Sequence, residues 1–188
     1  MKKSIRIYLF VICLLMALSA CSGLGGAFKG QLVRPAATAP EINLPDDQGN
    51  TFQLSAEHGK VVLVFFGFTN CADECPLTMA KLKQALASLG EKSGAVKVVM
   101  VSTDPLRDSS MALQDFLGKF NPDFVGIPGS LEQLQPIWTE YGVTVLDGGA
   151  THSSYIYAVD KSGRLRLIMD TDLTPDNIAH DLKILVAE

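Results

Sequence analysis

The chain has 188 residues, of which 47% are hydrophobic and 19% are charged, and its formal net charge is −4. This composition is typical of a globular protein and excludes a disordered or collagen-like chain. The negative net charge, without clusters of lysine and arginine, argues against a nucleic acid as a partner.

The first 20 residues have the pattern of a signal peptide. Lys2, Lys3 and Arg6 precede an apolar run over residues 7–18, which is shorter than the about 20 residues that a membrane-spanning helix needs. We therefore predict cleavage after this segment. Cleavage would remove three positive charges and no negative ones, which changes the net charge from −4 to −7.

The sequence Leu18-Ser19-Ala20-Cys21 resembles the bacterial lipobox, in which the cysteine is lipidated and becomes the first residue of the mature protein. The alternative is that Cys21 is an ordinary residue near a cleavage site. Residues 22–39 are rich in Gly, Ala and Pro without periodicity, so we expect a lipidated Cys21 and a flexible tether over 21–39. The folded domain over 40–188 would then be exported and lipid-anchored to a bacterial membrane, facing the periplasm or the cell exterior.

Beyond the tether, the hydrophobic pattern alternates between strands and helices. It predicts a hairpin over 41–44 and 51–54, strands over 61–66, 96–101, 124–127, 143–146, 154–159 and 165–169, and helices over 75–89, 111–120 and 131–141 and from Thr174 to the end. The continuous apolar run at 61–66 predicts a strand buried on both faces. Together these elements predict an α/β domain with a mixed central sheet and helices on both faces, the order found in thioredoxin-like folds.

One pair of cysteines remains for chemistry in the mature domain. Cys13 leaves with the signal peptide and Cys21 is the lipidation candidate, so Cys71 and Cys75 are left. Four residues apart at a helix start, their side chains lie on the same face, and both sulfurs can bind one ion. Thiolates favour Cu(I) and zinc, and an imidazole as third ligand suits copper in either oxidation state.

A third ligand has to come from elsewhere in the chain. Of the three histidines, His58 lies in a polar loop and His180 in the last amphipathic helix, and we interpret both as ordinary surface residues. His152 follows a glycine-containing loop at the start of a predicted strand, which favours it as the ligand. Asp104, before Pro105, either approaches the ion or caps the next helix, and we favour capping.

Three segments, in order along the chain, resemble the motifs of the SCO/SenC family of copper-handling proteins. They are residues 59–76 with the two cysteines, residues 101–108, and residues 152–163 with the histidine. The resemblance implies that Cys71, Cys75 and His152 hold one copper ion per chain, as Cu(I), Cu(II) or both. It also implies a metallochaperone that supplies the copper-bearing subunit of cytochrome c oxidase or another copper-transfer protein.

Two positions differ from the common family pattern, and several other functions are open. Ala72 stands where the family commonly has proline, and Thr151 where it has an acidic residue. The first alternative is a thiol–disulfide oxidoreductase, although such enzymes usually have two residues between the cysteines. A zinc site and an inert disulfide are further alternatives, and a peroxiredoxin is disfavoured because Phe68 stands where its threonine is expected. We expect a copper chaperone rather than an enzyme, with thiol–disulfide reductase activity left open beside it.

Overall fold

The structure is a computed structural model that describes residues 27–146 and 151–188, and for Thr151 and His152 it describes the backbone. The strands are β1 (Gln31–Thr38), β2 (Asn43–Pro45), β3 (Thr51–Gln53), β4 (Val61–Gly67), β5 (Val96–Ser102), β6 (Val125–Ile127), β7 (Val145–Leu146), β8 (Thr151–His152), β9 (Tyr155–Val159) and β10 (Arg164–Asp170). The α-helices are α1 (Glu74–Ala87), α2 (Ser110–Gly118), α3 (Leu131–Glu140) and α4 (Pro175–Ala187). Short 3-10 segments lie at Leu54–Glu57 and Gly90–Ala95.

The central sheet is mixed, as predicted, with the strand order β1-β10-β9-β4-β5-β6. Strand β4 is parallel to β5, and β5 to β6, whereas β9, β10 and β1 pair antiparallel to their neighbours. The register pairs Gly67 with Ser102 and Asp170 with Tyr155. One end of the sheet therefore contains the carboxyl ends of β4, β5 and β10 and the first residue of β9. We call it the site end. The opposite end is called the far end.

Apolar side chains cover both faces of the sheet because successive residues of a strand point to opposite faces. Val61, Leu63 and Phe65 of β4 pack with buried residues of α1, α2 and α4. Val62 and Phe66 pack on the other face with buried residues of α3 and of the β2–β3 hairpin. The predicted two-sided burial of β4 is confirmed, and the predicted hairpin is present as β2 paired with β3.

The first strand corrects the predicted extent of the tether. Gln31–Thr38 forms β1, which pairs with β10 at the edge of the sheet, so the folded unit begins before residue 40. The strand was missed because it lacks alternating hydrophobicity and contains Pro35, a residue that only an edge strand accommodates easily. The register also shifts between Leu32 and Ala37.

The last helix begins as its sequence predicts. The Thr174 side chain accepts a hydrogen bond from the Asn177 backbone N–H, and Pro175 is the first residue of α4. In the part of the chain that the structure describes, no helix has both the length and the apolar character needed to cross a membrane.

Candidate metal centre

The two cysteines lie where β4 delivers the chain into α1. Cys71 is half-buried in the connecting loop, and Cys75 is fully buried in the first turn of the helix. The Cys75 backbone N–H donates a hydrogen bond to Cys71 Sγ at 3.3 Å. Asp73, at the N-cap position, makes no side-chain capping bond. The Cys71 sulfur instead accepts a hydrogen bond from a first-turn N–H, as an N-cap oxygen usually does. The two cysteines lie close together, as predicted, but Cys71 precedes α1, so the predicted shared helix face is wrong.

The Cys75 thiol is packed beneath the end of β4. A Cβ atom at Gly67 would lie 3.0 Å from Cys75 Sγ and 2.6 Å from Phe65 Cε1, so glycine is needed for this close approach. Burial raises the pKa of the Cys75 thiol well above its ordinary value. Both cysteines are free thiols in the structure. A metal that binds Cys75 must therefore displace its proton.

Asp108 holds the cysteine loop against the end of β5. Its Oδ1 accepts hydrogen bonds from the Thr69 backbone N–H at 3.0 Å and from the Thr69 hydroxyl at 2.6 Å. Its Oδ2 accepts a hydrogen bond from the Ser102 hydroxyl at 2.6 Å. A buried carboxylate with three donors fixes the backbone two residues before Cys71, and its role was not identified from the sequence.

The predicted helix-capping role of Asp104 is wrong. Ser109 caps α2 by accepting a hydrogen bond from the Ala112 backbone N–H. Asp104 is fully buried, pairs with the Arg107 side chain, and its backbone carbonyl accepts the N–H groups of Arg107 and Asp108. The six residues between the end of β5 at Ser102 and the cap at Ser109 contain a turn, so Asp104 lies too early in the chain to cap the helix.

The histidine strand approaches the same end of the sheet. His152 lies in β8 and pairs with Val145 of β7, and the hairpin is extended by hydrogen bonds in both directions between Thr144 and Ser153. The side chain of His152 lies outside the part that the structure describes, as do residues 147–150 and Cys21. Its role as a ligand therefore stays a prediction.

Glu74 links the histidine strand to the start of α1. This residue, between the two cysteines and exposed to solvent, accepts a hydrogen bond from the Ser154 hydroxyl at 3.0 Å and from the Thr171 hydroxyl at 2.7 Å. Ser154 is two residues beyond His152, and Thr171 directly follows β10. One carboxylate thus joins the loop of the cysteines to two other segments at the site end. An acidic residue between two cysteines was the available sequence signal, but its partners were not predictable.

A protein of Stutzerimonas stutzeri is 31% identical to this chain over 130 residues, which are 69% of this chain and 63% of that protein. The chain therefore spans a little under two thirds of the length of that relative. The SCO1/SenC family profile matches residues 31–187. The chain belongs to the SCO1/SenC family.

Solved structures of this family share the fold. The structure of Bradyrhizobium japonicum ScoI with copper bound has a TM-score of 0.72 and 29% identity, covering 79% of this chain and 99% of that one. A SCO1/SenC family lipoprotein from Bacillus anthracis has a TM-score of 0.71 and 25% identity, covering 83% and 99%. The predicted thioredoxin-like α/β fold and the predicted family are confirmed.

The other two histidines of this SCO1/SenC chain lie on other segments than the cysteines and the predicted ligand histidine. His58 lies at the far end, where its Nε2 would be 2.6 Å from a Cβ added at Gly163 in the β9–β10 turn. His180 lies on α4 with Nδ1 2.9 Å from Asp181 Oδ1. Among the described side chains, no three His, Cys, Asp or Glu residues form a ready ligand set.

Proposed function

We propose that this chain is a copper metallochaperone that holds one copper ion, as Cu(I), Cu(II) or both, with Cys71, Cys75 and His152. The observation that carries the proposal is the contact between the Cys71 sulfur and the first turn of α1, which also bears Cys75. Two soft sulfur donors on one helix start suit Cu(I), and an added imidazole suits either oxidation state.

The surroundings of the cysteines fit a cation as cargo. Asp108 and Glu74 accept hydrogen bonds from hydroxyl and backbone N–H groups and not from lysine or arginine in the described part of the chain. Their negative charge near the two sulfurs is therefore not neutralised by direct ion pairs, which favours a bound cation electrostatically. Copper is bound in the Bradyrhizobium japonicum relative, which supports the same metal here.

We further propose that the protein is exported and lipid-anchored through Cys21, and that it supports assembly of the copper site of cytochrome c oxidase. The recipient would be the copper-bearing subunit or another copper-transfer protein. The lipobox-like sequence and the Bacillus anthracis lipoprotein relative support the anchor, and membership of the family supports the recipient.

Lipidation is tested by the mass of the mature protein. We expect the membrane-bound form to begin at Cys21 with acyl chains attached, because two or more chains are needed for stable anchoring. Cys21→Ala should release the protein from the membrane fraction. An N-terminal peptide that contains Cys21 without acyl mass would contradict the anchor.

The ligand set is tested by loading the purified full-length protein with Cu(I) or Cu(II) without oxygen. We expect one copper per chain, sulfur and nitrogen scattering in X-ray absorption, and a thiolate charge-transfer band with Cu(II). His152→Ala should weaken binding and change the band, whereas His58→Ala and His180→Ala should leave both unchanged. An unchanged copper content and spectrum in His152→Ala would remove His152 from the site.

The second candidate is a thiol–disulfide oxidoreductase, because Cys71 and Cys75 are both free and lie in contact through the backbone N–H. Disulfide exchange needs two thiols and no imidazole ligand. His152→Ala should therefore lower oxidase activity in cells while leaving any disulfide reductase turnover intact. Full oxidase activity in His152→Ala, with loss of reductase turnover in Cys71→Ser, would favour the enzyme instead.

A further inference from the structure

The chain enters the folded domain at the same end of the sheet as the cysteines. Strand β1 runs antiparallel to β10, with Gln31 opposite Ile168 and Thr38 opposite Arg164. The first residue of β1 therefore lies near the carboxyl end of β10, which belongs to the site end. The anchored segment thus joins the domain at the end that carries Cys71 and Cys75.

The entry point is fastened by a buried carboxylate. Asp181 of α4 is fully buried and accepts the Lys29 backbone N–H through both oxygens at 2.8 and 3.0 Å, and the Gly30 N–H at 2.8 Å. Phe28 packs against the apolar cluster on the same face. A Cβ at Gly30 would lie 2.9 Å from Met169 Cγ, so the chain runs close against β10. These contacts hold the start of β1 against β10 and α4, so β1 does not detach from the sheet and lengthen the tether.

The distances involved are short. Strands β1, β10, β9 and β4 are neighbours in that order. Across the sheet, the start of β1 is therefore three strand spacings, about 14 Å, from β4. The ten residues from Cys21 to Gly30 are joined by nine Cα–Cα steps, which span at most about 30 Å. The far end lies a further strand length away, about 23 Å for the seven residues of β4.

From this geometry we propose that the metal-site end of the domain faces the membrane, toward a copper acceptor that is held at the same membrane surface. This inference rests on the lipid anchor and copper site proposed above. The exposed acidic residues at this end, Asp73, Glu74, Asp170 and Asp172, outnumber the exposed Lys29 and Arg107, so its net charge is negative and anionic headgroups repel it. The site end is therefore held at a distance from the lipid headgroups, and the copper-accepting domain lies in the space between them.

The C-terminus provides a way to reverse this orientation. Helix α4 begins after β10 at the site end and runs to the far end, where Glu188 pairs with Arg166, and Arg166 pairs with Asp160 beside the β9–β10 turn. An anchor joined to Glu188 by a linker of nine residues, matching the Cys21–Gly30 span, would attach the membrane to the far end instead.

The orientation is tested with a nitroxide at either end of β5 in the lipidated, full-length protein on vesicles that contain nickel-chelating lipids. The label is placed either at Leu106, which follows β5 and is 89% exposed, or at Lys92, which precedes β5 and is also exposed. An azide-bearing amino acid at that position is coupled to the nitroxide without copper, so the cysteines are not modified. We expect stronger relaxation by nickel at position 106. A long Gly-Ser insertion after Gly23 should remove the difference. Equal relaxation without the insertion, or stronger relaxation at position 92, would overturn the orientation.

The functional arm compares the normal chain with a Cys21→Ala chain anchored through Glu188. The re-anchored chain should bind copper with the same stoichiometry and spectrum but should mature less cytochrome c oxidase in cells. Full oxidase maturation would overturn the inference while leaving copper binding untouched. Failure of the normal chain to float with vesicles would overturn the lipid anchor, and this inference with it, and would again leave the copper site standing.

Discussion

The two ends of the sheet are both held by buried aspartates, but they are neutralised differently. At the far end, Asp160 accepts hydrogen bonds from Ser162 and pairs with Arg164 and Arg166, and Arg166 continues to Glu188. At the site end, Asp108 is held by the uncharged donors of Thr69 and Ser102. The far-end aspartate is closed by ion pairs. At the site end Asp104 also pairs with Arg107, but Asp108 forms no ion pair in the described part of the chain and keeps its negative charge under the loop that leads to Cys71. This difference is what a domain needs if one end is structural and the other receives a cation.

Replacement of Asp108 should have the largest effect. Asp108→Ala leaves three buried or half-buried donors of Thr69 and Ser102 without their acceptor, and we expect a loss of about 2–4 kcal/mol in the free energy of unfolding. Copper should also be released faster, because the loop before Cys71 loses its attachment. Urea unfolding and transfer of copper to a chelator measure the two effects.

Asp160→Ala is the matched control at the far end. It also removes a buried carboxylate with several donors, so it should lower stability by a similar amount without changing copper release. Faster copper release in both variants would mean that the site responds to global stability, and the contrast between the two ends would be wrong for copper retention.

Strong acid should weaken the far end through Asp160. Although burial raises its pKa, hydrogen bonds from Ser162, Arg164 and Arg166 lower the pKa of Asp160 to about 2, from the ordinary value of 3.8. A lowered folded-state pKa contributes stability above pH 3.8 that is lost as the pH falls toward 2, and the shift corresponds to about 2 kcal/mol. Urea unfolding of the wild type and Asp160→Asn across this range should show a shallower pH dependence in the variant. Identical slopes would contradict this role.

The fold and the cysteine pair could be predicted from the sequence because their signals are local. A run of apolar residues identifies β4, and a spacing of four predicts that Cys71 and Cys75 lie close together, although Cys71 lies in the loop before α1 and not on its face. The roles of Asp108 and Glu74 could not be predicted, because their partners lie 39, 80 and 97 residues away in the chain. Strand β1 was missed because pairing with β10, and not its own pattern, makes it a strand.

The smallest effect on stability, and the most specific effect on the site, is expected at Glu74. Because its carboxylate is exposed, Glu74→Ala should cost about 1 kcal/mol of unfolding free energy or less. It should nevertheless speed copper release, since it separates the start of α1 from Ser154 and thereby from the strand of His152. Stopped-flow transfer of copper to a chelator, beside urea unfolding, measures both quantities.

Three further variants separate the causes of that effect. Glu74→Gln removes the charge but keeps an oxygen that can accept a hydrogen bond from a hydroxyl. Copper release that is slower than in Glu74→Ala would assign the role of Glu74 to hydrogen bonding. Copper release as fast as in Glu74→Ala would assign it to charge. Ser154→Ala breaks the link toward His152, and Thr171→Ala breaks only the link toward β10. Ser154→Ala should therefore resemble Glu74→Ala, and Thr171→Ala should resemble the wild type. If Thr171→Ala released copper as fast as Ser154→Ala, Glu74 would act by making the whole site end more rigid. The proposed specific coupling between the cysteine loop and the strand of His152 would then be wrong.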